Sequence, residues 1–158
     1  MQHAHAGKGT GSRAKGHYGL LLAMVGLSFI AMYVLMYAMV DAFSNVFNSI
    51  NQAYMAGLMA APMLLVELAL MSGMYPDKAK NMALAAIAVV VMLGCWFGIR
   101  QQAAVSDQQF LRSMIPHHAG ALLMCRQNRL KDPDLQQLCK EIIRSQKSEI
   151  DLMKSKLR

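Results

Sequence analysis

The sequence predicts an all-α protein in which three transmembrane helices precede an extracytoplasmic helical hairpin. Three observations carry this. The 158 residues are 55% apolar, enough for a membrane protein. Three long hydrophobic runs each approach the roughly 20 residues that span a bilayer. After the last run, a mixed-charge tail shows two separate helix-start signals.

Residues 1–17, rich in Gly, Lys and His, have no apolar periodicity and read as a disordered basic cytoplasmic leader. His3 and His5 in it read as solvated polar residues more than as metal ligands. The transmembrane domain, 18–99, follows. Its first run, Tyr18 to Val40, carries no charge. It is too long for the apolar core of a signal peptide, lacks an A-x-A-like cleavage site and is followed by further spans, so it is expected to be retained. The second run, Ala53 to Met74, holds Glu67; Pro62 is expected to bend it, and Ala60 and Ala61 to admit a close neighbour. The third, Met82 to Ile99, is again uncharged. Tyr18, Tyr54, Tyr75 and Trp96 stand near run ends, where amphipathic rings favour the lipid-water boundary.

Lys8, Arg13 and Lys15 precede the first run and Lys78 and Lys80 follow the second, whereas the 41–52 connection has only Asp41. The positive-inside rule therefore places the N-terminus in the cytoplasm and residues 100–158 outside, periplasmic or extracellular at a bacterial cytoplasmic (inner) membrane. The net charge of +7 does not point to nucleic acid. Eleven basic residues lie in the tail interspersed with six acidic ones, a pattern of solvated surface.

Within the tail, Ser106-Asp-Gln-Gln109 has the form of a capping box, and a helix is expected from there to about Leu130, bent at Pro116. Asp132-Pro133 marks a second helix start. At about 3.6 residues per turn, Met114, His118, Ala121 and Cys125 share a stripe of the first arm, flanked by His117 and Met124. Cys139, Ile142, Ile143, Gln146, Glu149, Ile150 and Met153 share a stripe of the second. Antiparallel arms would set Cys125 and Cys139 at nearly one height and bring the histidines level with Gln146 and near Glu149.

Thioethers select Cu(I) and similar soft ions, imidazole suits copper and zinc, and a carboxylate can orient an imidazole. Met114, His117, His118, Met124 and Met153 would compose such a site. The methionines alone read more simply as packing. Two adjacent histidines on the same arm shift the set toward metal binding.

The run Asp107-Gln-Gln-Phe110, Met114-Ile-Pro-His-His118, Ala121 and Met124, followed by Gln146-Lys-Ser-Glu-Ile150 and Met153, resembles the CopM-like family of the domain of unknown function 305. The resemblance covers about the last fifty residues. It implies a ferritin-like helical bundle exported to the periplasm that binds copper or silver ions through Met and His. By position this falls on Met114, His117, His118, Met124 and Met153, with Gln146 and Glu149 as further motif positions. Two departures stand out: one hairpin, a half-bundle, is present, and three spans replace a cleaved signal.

A hairpin of this size cannot bury a stable core alone. Self-association into a four-helix bundle, as a homodimer or higher oligomer, is one solution; docking on the membrane domain or another protein is the other. Cys125 and Cys139 read as a disulfide, as soft metal ligands, or as small buried residues. In the spans, Glu67 is a candidate intramembrane site beside Met55, Met59, Met63, Met71 and Met74, with Met32, Met36 and Met39 on the first helix. The leading functional expectation is a membrane-anchored binder that captures or buffers Cu(I) or Ag(I) in support of copper homeostasis or resistance. A metal transporter or its accessory, using Glu67, and an oligomeric scaffold without metal are the alternatives. No nucleophile-base pair, phosphate loop or di-iron carboxylate set suggests an enzyme.

Overall fold

A computed structural model describes the backbone of residues 9–157 and the side chains of residues 17–157. Among these, five α-helices follow in order: α1 (Gly9–Leu35), α2 (Ile50–Leu70), α3 (Lys78–Gln101), α4 (Asp107–Gln127) and α5 (Pro133–Leu157). Short 3-10 turns lie at Met36–Met39, Phe43–Asn45 and Ser72–Met74, and no strand occurs among the described residues. Residues 9–17, expected without regular structure, are helical. Once the apolar run nucleates a helix, extending it through Arg13, Ala14 and Lys15 costs little. Residues 1–8, with His3 and His5, lie outside the described residues.

Three helical segments, His17–Met39, Ile50–Leu70 and Lys78–Gln101, are long and apolar enough to cross a membrane. The second helix stops at Leu70, short of the expected Met74, because Gly73 and Pro76 favour a turn over continued helix. Asp77 then caps α3, its Oδ1 accepting the Lys80 amide at 3.1 Å and its Oδ2 standing 3.0 Å from the Lys80 ammonium. These contacts, the backbone amide first, hold the Asp77 carboxyl below its ordinary range.

The chain forms two compact units. The first comprises residues up to Met32 and Tyr54–Arg100. Its core joins Leu21 from α1, Leu64 and Leu68 from α2, Tyr75, and Ala88 from α3. Small residues set the helix spacing, as expected, with Ala56, Gly57, Ala60 and Ala61 all buried on α2. A Cβ on Gly57 would stand 2.8 Å from the Cys95 sulfur, and one on Gly98 would stand 3.0 Å from the Tyr54 ring. Tyr75 departs from its expected boundary role. It is 4% exposed, its ring centroid 5.3 Å from that of Tyr18, and it is packed inside the unit.

The second unit comprises Tyr33–Ala53 and Gln101–Arg158. The expected boundary at residue 100 therefore omits a piece: residues 33–53 fold with the tail. The cause is apolar and polar together. Val40 and Phe47 pack against a core of Ile115, Ala119, Leu122, Ile150 and Met153. Arg126 donates to Asp41 at 2.8 Å. The hairpin is thus covered on one side by its own chain.

Candidate functional site

Helix α4 starts where the sequence places it. Ser106 Oγ accepts the Gln109 amide at 3.4 Å. The return half of the capping box does not form, because Gln109 Oε1 instead accepts the Ile50 amide at 3.0 Å, an unpaired donor at the start of α2. The helix continues through Pro116 and ends at Gln127, earlier than the expected Leu130. Asn128 is already extended, and Pro133 disfavours helix in the residue before it. Asp132 caps α5, its Oδ1 accepting the amides of Asp134 and Leu135 at 2.8 and 3.3 Å.

The arms are joined by a disulfide between Cys125 and Cys139, whose Cα atoms are 5.2 Å apart. Of the three readings of this pair, the disulfide holds. As metal ligands they are set aside, since neither sulfur is a thiolate.

From this closure the register brings His118 to Glu149. His118 Nδ1 lies 3.0 Å from Glu149 Oε2, with the His118 side chain 14% exposed and that of Glu149 46% exposed. The nitrogen is buried, and the approach is close but outside hydrogen-bond alignment. One turn from each partner stand Met114, packed against the core, and Met153, within it. Met114 and Met153 thus belong to the apolar core of the hairpin one helical turn from His118 and Glu149, of which His118 is mostly buried and Glu149 half exposed. His117 does not join them: it is exposed, its ring centroid 6.3 Å from that of His118. Met124 is also exposed, and Gln146 is partly buried with no side-chain hydrogen bond among the described residues. Among the described residues no group of three or more His, Cys, Asp or Glu side chains is placed to hold a metal ion. Any metal held here would use the thioethers.

The other sequence-stated candidate, Glu67, has an unforeseen partner. Its Oε1 accepts the Tyr75 hydroxyl at 3.2 Å. Burial first, and then the neighbouring carboxyl, push the Tyr75 phenol up, so it remains a donor. Met55, Met59, Met71 and Met74 are exposed, whereas Met63 turns with Glu67 toward Met24 of α1. Sequence reasoning missed Met24, whose helical phase carries no signal in an evenly apolar helix. It also missed Asp41, although a lone charge in the 41–52 connection is itself a signal that it has a partner.

The model "Domain of unknown function (DUF305)" matches residues 68–157, reaching past the hairpin through α3. The "Uncharacterized protein L153" of Acanthamoeba polyphaga mimivirus is 34% identical over 139 residues, covering 86% of this chain and 90% of the relative. No solved structure matches. The chain belongs to the DUF305 family.

Proposed function

We propose that the protein is a membrane-anchored binder of soft univalent metal ions, Cu(I) or Ag(I), that captures or buffers them outside the cytoplasm. The observation that carries this is the 3.0 Å approach of Glu149 to His118 Nδ1. A carboxylate this close to one imidazole nitrogen can orient the ring, since a small rotation would bring the two into hydrogen-bond alignment. That leaves Nε2 as the nitrogen for a ligand, with the Met114 and Met153 thioethers a turn away supplying donors that select soft ions. His117 and Met124, exposed and apart, are entry or exchange positions in this reading, and the Cys125–Cys139 bridge is structural.

Two further features support the anchoring. The segment after the first apolar helix folds with the segment after the third; three crossings put both on one side of a bilayer. A disulfide in that unit fits an oxidising compartment. With Lys78 and Lys80 on the opposite connection, the N-terminus is cytoplasmic and the hairpin faces the periplasm or exterior.

The test is Cu(I) titration of the full chain in lipid nanodiscs, monitored by competition with a chromogenic chelator. His118→Ala should lose hairpin uptake, and His117→Ala should keep most of it. Undiminished uptake by His118→Ala would overturn the proposal and leave a scaffold role for the hairpin.

A further inference from the structure

Within the first unit, α1 and α2 line an open cleft of about 250 Å³ formed by Met24, Pro62, Met63, Val66 and Glu67. Glu67 is the single carboxyl group in the three apolar segments. Its Oε1 accepts the Tyr75 hydroxyl, and among the described residues no other hydrogen-bond donor reaches this carboxyl group, which lines the cleft. Pro62, in the same wall, has no amide hydrogen, so the Leu58 carbonyl one turn earlier lacks its helical donor. A carboxyl group retained in so apolar a place calls for a ligand or a partner.

The donor set decides the ligand. Two thioethers and one carboxylate, without imidazole or thiolate, suit a soft ion. Calcium and magnesium require six or more oxygens, which these walls do not supply. A univalent ion on one carboxylate makes a neutral complex, the form hydrocarbon surroundings tolerate.

We propose that this cleft is a second binding site for a univalent soft cation, with Glu67 and the thioethers of Met24 and Met63 as ligands and Tyr75 as the residue that orients Glu67. The site rests on the reading of α1 to α3 as membrane helices and is independent of the hairpin site.

The experiment uses the full chain in nanodiscs loaded with Ag(I) or Cu(I), with bound metal measured by mass spectrometry for the wild type, Glu67→Gln, His118→Ala and the double variant. Two ions are expected on the wild type, one on each single variant and none on the double. Wild-type loading by Glu67→Gln overturns the cleft site, and wild-type loading by His118→Ala overturns the hairpin site, so each can fail alone. Met63→Leu conserves volume while removing the sulfur, and covers the case in which Glu67→Gln fails to fold. It should weaken the ion left on His118→Ala, whereas unchanged affinity overturns thioether ligation. Tyr75→Phe should weaken that ion roughly tenfold without abolishing it. X-ray absorption of His118→Ala should show sulfur and oxygen neighbours only; imidazole scattering, or native mass spectra with lipid but no metal in the cleft, overturns the proposal.

Discussion

Arg126, in the last turn of α4, donates to the Asp41 carboxylate at 2.8 Å across 85 positions of chain. The carboxylate is 6% exposed while the guanidinium is 44% exposed, and Asn45 Nδ2 donates to the other oxygen at 2.6 Å. The connection between α1 and α2 is thus pinned to the hairpin by a desolvated charge. Replacing Arg126 with Met leaves that charge buried without its cation. A loss of about 1–3 kcal/mol is expected, seen as faster amide exchange over residues 43–48. Asp41→Asn combined with Arg126→Met should recover part of it, and a purely additive double variant would show that the pair is not coupled.

Ile115, 0% exposed, is the apolar centre of the Met-Ile-Pro-His-His segment. Truncation to Ala should cost roughly 2–5 kcal/mol in denaturant titration of the hairpin signal. Its effect on metal affinity should follow unfolding alone, which separates core packing from ligation.

The disulfide closes a loop of 14 residues of separation. Cys125→Ser with Cys139→Ser should lower stability by roughly 3 kcal/mol, with folded-state metal stoichiometry unchanged. A lost ion in the folded double variant would restore the cysteines as ligands.

Asp77 gives a pH dependence of known sign. Its folded-state carboxyl titrates below the ordinary range. The stability it contributes is therefore present above the unfolded value of ~3.9 and is lost as pH falls through the lower, folded value. Its carboxyl carbon shift, followed by NMR, should titrate below that of a model peptide. Asp77→Asn retains a helix cap and should abolish this acid-side step.

Gln102 and Ala104 hold left-handed backbone, with φ of 51° and 57°. The Gln102 side chain accepts from the Asn51 side-chain amide at 2.9 Å, whereas Ala104 has no polar side chain to anchor its left-handed backbone. Ala104→Gly should raise stability by about 0.5–1 kcal/mol, read from the thermal midpoint of the hairpin unit.

The helices and both tail caps were legible in the sequence because each rests on local chemistry: apolar run length, Ser106 with Gln109, and Asp132 before Pro133. Counting outward from one turn set Cys125 and Cys139 at nearly one height, with a disulfide as one of three readings, and put both histidines near Glu149. The rest depends on long-range contact. Gln109 abandons its own cap for the Ile50 amide, and Tyr75 leaves the boundary for Glu67. Met24 was invisible because every phase of α1 is apolar. His117 and His118 looked equivalent as neighbours, yet a helix rotates adjacent residues by about 100°, and only one can face the second arm.

The turn at residues 128–132, between the bridged cysteines, contains exposed Arg129 and Lys131 outside any helix. A protease cutting there would leave both arms covalently attached and every buried contact of the hairpin in place. Such a break would be silent in mass-preserving separations until a reductant parted the fragments. The second arm can therefore be severed in sequence while remaining fixed in space, so that a cut in the turn need not separate the arms.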